Sequence, residues 1–293
     1  MLRVCIFDFD GTLTDIETDE AAFVSRYQHV LCEALGWDLP RLHRHWDRAL
    51  QTLQAEPEKY GWLSEGQIMA PANTDPYIRV SCLAALILAG VMEKAAPAEA
   101  AEIKIHAYDY ATFSTQVFRK TYALSPVHFR KETKHVLNTL LARSDLFVAV
   151  VTNSSPEAVG RSLDTLHLQN RDRLHIFGDA QKFVYTQARA FDAPFSQIPS
   201  TLHWPGLLRP VQLLRGHYYD VLSHIRAVSG CSLEEMLVCG DHSELDLALP
   251  HTLGCSVYLV TRTQTPSYEI HFIEQSERGY VSPSLVDMLK IFS

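Results

Sequence analysis

No apolar run in this chain is long enough to span a bilayer. The longest, CLAALILAGVM at 82–92, has eleven residues, where a spanning helix needs about 18 to 20. There is no basic excess either. Lys and Arg number 26 against 34 Asp and Glu, a net charge of −8, and a general nucleic-acid binder would carry a basic face. Paired cysteines are also missing. The six lie apart at 5, 32, 82, 231, 239 and 255 with no CxxC, so reduced thiols packed as small core residues are expected rather than a zinc site or a disulfide framework. Arg3 and then Asp8 and Asp10 interrupt the apolar N-terminus, which does not read as a secretory leader. Cytoplasmic location, no membrane and no nucleic-acid partner are the expectations. Internal repeats and low-complexity tracts are absent from the sequence.

What is present is an ordinary globular composition, 47% hydrophobic and 20% charged over 293 residues, enough for one large domain or two moderate ones. Five short apolar runs read as buried parallel strands: LRVCIF (2–7), LFVAVV (146–151), LHIF (174–177), MLVC (236–239) and SVYLV (256–260). Helical patterns separate several of them. PEAVGRSLDTLH begins with a proline suited to a first turn, and GHYYDVLSHIRAVSG ends on Gly230. Alternating strands and helices predict an α/β fold with a doubly wound parallel sheet.

One interval breaks the alternation. Residues 16–135 show helical spacing at Phe23, Tyr27, Val30, Leu31, Ala34 and Leu35 and at Leu42, Trp46, Ala49, Leu50 and Leu53. The stretches 78–93 and 98–122 are helical in pattern, and no strand stands out. The expectation is an all-α domain at 16–135 inserted into a core made of 1–15 and 136–293. A second irregular stretch, 183–214, carries four prolines and no clear period. Loops this long in compact domains are usually functional or disordered.

The chemistry gathers where the strands end. In open α/β sheets the ligand crevice lies at the carboxyl ends of the strands. The first apolar run is followed by Asp8 and Asp10 in CIFDFDGTLTD, the second by Thr152, Asn153, Ser154 and Ser155, and MLVC by GDHSELD with Asp241, Glu244 and Asp246. Charge is costly beside an apolar interior unless it is paired or bound to a cation. Crowded carboxylates with hard oxygen donors favour Mg²⁺.

These segments resemble the haloacid dehalogenase superfamily on its phosphatase-like side. DFDGTLTD resembles the first family motif, DxDGT; VVTNSS resembles the second, an apolar strand ending in Thr or Ser; CGDHSELD resembles the fourth, GDxxxxD. The resemblance covers about 1–15 and 140–262. It implies a Rossmann-like core, an α-helical cap in the inserted block, Mg²⁺ and an aspartyl-phosphate intermediate. Asp8 would be the nucleophile, and Asp10 would protonate the leaving oxygen and later activate water. Gly11 and Thr12 would form a tight turn at the phosphate, with Thr152 and the Asn153 amide binding phosphoryl oxygens. Asp8, Asp10 (through its carbonyl) and Asp241 would bind the metal, with Asp246 at the same site orienting the metal's waters or the third-motif cation.

The third family motif, a cation that stabilises the phosphoryl charge, has two candidates of equal weight. Arg215 opens the helix before MLVC at nearly the usual spacing, and Lys182 in FGDAQKF has the usual side chain but stands before the long insertion. Arg209 is a more distant third. Asp10 sets the resemblance apart from dehalogenases, which lack an acid there, but not from phosphomutases.

The expected function is a Mg²⁺-dependent phosphatase acting on a small phosphorylated metabolite. The alternatives are a phosphomutase and a catalytically silent binding or scaffold protein of the same fold. His45, Trp46, Tyr60 and Trp62 in the inserted block are read as core aromatics rather than substrate contacts. The 183–214 insertion is left open between part of the entrance and a homodimer contact.

Overall fold

Val4–Phe7 (β1) is buried at every residue, and its alternate side chains serve two different cores. Val4 and Ile6 join Ala149, Val151, Val238, Val257 and Leu259 on one face. Cys5 and Phe7 join Val148, Val150, Leu237, Cys239 and Val260 on the other. A strand flanked by apolar layers on both sides has to be apolar throughout, which is why these runs do not alternate with polar residues. The computed structural model describes residues 1–92, 110–186 and 193–292.

Six strands form one parallel sheet: β1, β4 (Phe147–Val151), β5 (Leu174–Phe177), β8 (Met236–Gly240), β9 (Ser256–Val260) and β10 (Gly279–Ser282), in the order β10-β9-β8-β1-β4-β5. β1 lies between β4 and β8, with Phe7 level with Val150 and with Cys239. The residues that follow these three strands therefore emerge side by side at one edge. Helices pack around the sheet with readable termini. Ser155 caps the helix Pro156–Asp164 by accepting from Ala158 N–H, with Pro156 at its first position. Gly230, at φ 66°, ends the helix Gly216–Ser229.

The chain divides into two compact units, one made of Met1–Glu17, Leu63–Met69 and Val127–Ser293 and the other of Thr18–Trp62 and Ala70–Pro126. The second is built mainly on the helices Glu20–Leu35, Leu39–Ala55, Pro76–Met92 and Tyr110–Ala123. Its core includes Phe23 against Tyr77, with ring centroids 4.5 Å apart, and Tyr77 against Phe118 at 5.7 Å. Trp46 is buried beside Tyr27. The helical pattern read over 98–122 is described only from residue 110; the rest lies outside the described residues, as do 187–192 of the long insertion.

Five of the described strands escape the sequence reading. The interval 16–135 is not all-helical: Gly61–Ser64 (β2) and Gln67–Pro71 (β3) form a hairpin. Its two-residue turn, Glu65 and Gly66, has φ of 50° and 75°, the primed geometry that matches strand twist. Residues Leu63–Met69 of this hairpin cluster with the sheet unit. The insertion contains a second short hairpin, Thr201–Leu202 (β6) with Val211–Gln212 (β7), over the buried Trp204, Leu207 and Leu213. β10 is one of the sheet's two edge strands, and its GYVS is too mixed to show a pattern.

Candidate active site

Asp8 follows β1, and its N–H still donates to Cys239 carbonyl at 2.8 Å, continuing the sheet by one bond. Asp241 follows β8. A single wide turn of π-helix, Ser243–Leu247, brings Asp246 back beside it. Carboxylate oxygens of Asp8, Asp241 and Asp246 all lie within 4.8 Å of one another, and all three residues are buried. Two glycines make this convergence possible. A Cβ on Gly11, at φ +85°, would stand 2.2 Å from Asp241 Oδ2, and one on Gly240 would stand 2.5 Å from Asp246 Cβ.

Lys182 enters the cluster from the segment after β5. Its Nζ donates to Asp8 Oδ1 at 2.7 Å and to Asp246 Oδ1 at 2.8 Å, and it lies 5.5 Å from the Tyr218 ring centroid. Asn153 fixes the approach, because its Oδ1 accepts from Lys182 N–H at 2.8 Å. Burial works against the ammonium, but Asp246 and Asp8 outweigh it and hold Lys182 protonated above its ordinary range. Asp8 is pushed up, first by burial and then by the charge on Asp246, even though Lys182 pulls it down.

Arg215, the other cation of equal weight in the sequence, does different work. It is wholly buried, and its guanidinium donates to four backbone carbonyls: Gln212, Lys182, Leu245 and Met69, at 2.8–3.4 Å. It ties together the segments that carry Lys182 and Asp246 rather than meeting the carboxylates through a hydrogen bond. Arg209 pairs with Glu244 through both terminal nitrogens, each at 2.8 Å.

Of the remaining predicted residues, Thr12 meets Asp241, while Asp10 and Thr152 meet Ser154. Asp10 Oδ2 accepts from Ser154 Oγ at 2.8 Å. Thr152 is buried, with its hydroxyl accepting from Ser154 N–H at 3.1 Å. Gly11 N–H donates to Thr14 Oγ1, and the Thr12 hydroxyl donates to Asp241 Oδ1 at 3.2 Å. The Thr12 hydroxyl thus supports the Asp241 carboxylate.

Sequence reasoning gave no role to Arg130 and Arg262. Arg130 clamps the Gly11 carbonyl through Nε and Nη2 at 3.2 and 2.8 Å. Arg262 Nε lies 2.7 Å from Asp241 Oδ2, with both side chains almost fully buried. Arg262 could have been found by the strand-end rule that found the aspartates, since it stands two residues past β9. Arg130 carried no signal, because the contact joins segments 119 residues apart.

The donor set fits a hard divalent cation. Three buried carboxylates share a small volume, and Asp8 is raised although a lysine touches it, so the cluster has room for more positive charge.

No family model matches the chain, nor does a curated protein sequence. Solved structures do. A predicted phosphoglycolate phosphatase from Haemophilus somnus is similar at 17% identity and TM-score 0.52 over 100% of this chain and 98% of its own. A haloacid dehalogenase-like family hydrolase from Streptococcus pneumoniae aligns at 11% identity and TM-score 0.53, covering 100% and 99%. A HAD-hydrolase from Bacillus subtilis bound to magnesium aligns at 13% identity and TM-score 0.50, covering 99% and 98%. The chain has the fold of the haloacid dehalogenase-like hydrolases, an α/β Rossmann-like core. Among the described residues, no helix is long and apolar enough to cross a membrane.

Proposed function

We propose that this chain is a Mg²⁺-dependent phosphatase of the haloacid dehalogenase superfamily, hydrolysing a small phosphate monoester through an aspartyl phosphate. The observation that carries this reading is Asp8 held between Lys182 and the Asp241/Asp246 pair at the end of the central strand. Asp10 supports the phosphatase over a dehalogenase, since a halide leaving group needs no proton and an alcohol does.

Asp8 attacks phosphorus, the bond from phosphorus to the ester oxygen breaks, and Asp10 gives that oxygen its proton. Water then attacks the aspartyl phosphate, Asp10 takes the water's proton, and inorganic phosphate leaves with Asp8 restored. Ser154 orients Asp10 for both transfers. Lys182 faces the charge that develops on the phosphoryl oxygens. A metal on Asp8, Asp241 and Asp246, with the Asp10 carbonyl, would offset repulsion between carboxylates and phosphate. The helical unit, inserted after β1, has the chain position of a cap that selects small substrates and excludes water.

The test is p-nitrophenyl phosphate hydrolysis with and without Mg²⁺, with Asp8→Asn as control. Metal-dependent phosphate release that disappears in the variant is expected. Release that survives in Asp8→Asn sinks the nucleophile assignment, and no release from folded, Mg²⁺-loaded protein counts against the phosphatase.

A further inference from the structure

Arg262 is a buried cation that the reaction above leaves without a part. Only 4% of its side chain is exposed, and its Nε sits 2.7 Å from Asp241 Oδ2. The other oxygen of that carboxylate accepts from Thr12. The backbone fixes the arginine in this position. Arg262 N–H donates to Thr265 Oγ1 at 2.7 Å, and the next residue, Thr263, donates its N–H to Glu17 Oε1 at 3.0 Å. Asp241 therefore already has a full positive charge at contact distance, delivered by a loop of its own.

We propose that Arg262 is a built-in counter-ion of Asp241 that competes with the divalent metal, so that metal affinity is set by the displacement of its guanidinium. The inference rests on Asp8, Asp241 and Asp246 holding a metal. A carboxylate oxygen in a buried ion pair cannot also coordinate a divalent cation without bringing two positive centres close together in a medium of low dielectric. Lys182 places the same constraint on one oxygen of Asp8 and one of Asp246; its charge stays in every variant compared, so the comparison isolates Arg262 at Asp241. At low metal concentration the site is closed by its own arginine, and metal opens it.

The experiment compares the full-length chain with its Arg262→Met and Arg262→Lys variants. Mn²⁺ binding is followed by electron paramagnetic resonance, Mg²⁺ binding by calorimetry, and melting is recorded with and without metal. Arg262→Met is expected to bind both ions at least about tenfold more tightly than the unmodified chain, because the competing charge is gone. It should also melt lower without metal and recover at saturation. Arg262→Lys keeps the charge and is expected within about threefold of the unmodified chain. Equal or weaker binding by folded Arg262→Met overturns the inference alone. Binding by none of the three overturns the metal reading as well. If Arg262→Met does not fold, Arg262→Gln is read by the same criteria.

Discussion

Lys182 Nζ lies 2.7 Å from Asp8 Oδ1 although 174 residues separate the two in the chain. The same ammonium reaches Asp246, so one lysine holds the end of the central strand to the turn after β8. Arg215 supports it from behind by donating to the Lys182 carbonyl.

That division of labour separates two variants. Lys182→Met should fold and lose at least about a hundredfold in kcat, as expected when a charge that stabilises a transition state is removed. Arg215→Met should fail by losing structure, since four carbonyls, three of them in fully buried hydrogen bonds, lose their donor. Circular dichroism melting with single-turnover kinetics checks the pair. A folded, inactive Arg215→Met with an active Lys182→Met would reverse the assignment.

Gly11→Ala should cost both stability and metal binding. The new Cβ would fall 2.2 Å from Asp241 Oδ2 at a φ of +85°, and left-handed backbone alone costs about 1–2 kcal/mol for a residue with a Cβ. Urea unfolding and Mn²⁺ titration measure the two effects. A variant unchanged in both would show that the turn relaxes freely.

Glu269 should make stability fall with pH. Its carboxyl, pushed up to about 8 from 4.5 by burial first and the charge of Glu244 second, accepts from Ser243 N–H through Oε2. Between these values the folded state holds a proton that the unfolded state has released. Unfolding free energy therefore drops by about 1.4 kcal/mol per pH unit at most as pH rises through that window, and levels off above it. Glu269→Gln keeps an oxygen for Ser243 and removes the titration, so its stability should show a flatter slope from pH 5 to 8. Identical slopes in denaturant titrations would refute this.

Half-buried Arg209 and fully buried Glu244 form a two-bonded pair. Arg209→Met should destabilise by about 3–5 kcal/mol, because it strands a buried carboxylate, whereas Arg209→Met with Glu244→Leu should recover most of that loss. A double-mutant cycle by urea unfolding tests it; a double variant as unstable as the single one would mean that the pair contributes through other partners.

The sequence alone determined the parallel sheet and the residues at its working edge. Apolar runs such as VCIF must be buried on both faces, and a carboxylate directly after such a run can be tolerated only beside a cation. That reasoning gathered Asp8, Asp10, Asp241, Glu244 and Asp246 at one edge, and the family resemblance narrowed the set to Asp8, Asp10, Asp241 and Asp246. The helical interval was legible for the same reason: local periodicity records which face of an element is buried. The hairpin at 61–71 was not legible, because GWLS and QIMAP each mix exposed with less exposed positions and neither is apolar throughout.

Only the tertiary structure shows that Lys182 meets carboxylates and Arg215 meets carbonyls. Each is a buried cation near the right place, and spacing cannot say whether it meets carboxylates or carbonyls. It also brought Arg262 to Asp241, across the end of a neighbouring strand. Charge pairing acts over a few ångströms of space, and only the fold sets which residues come within that distance.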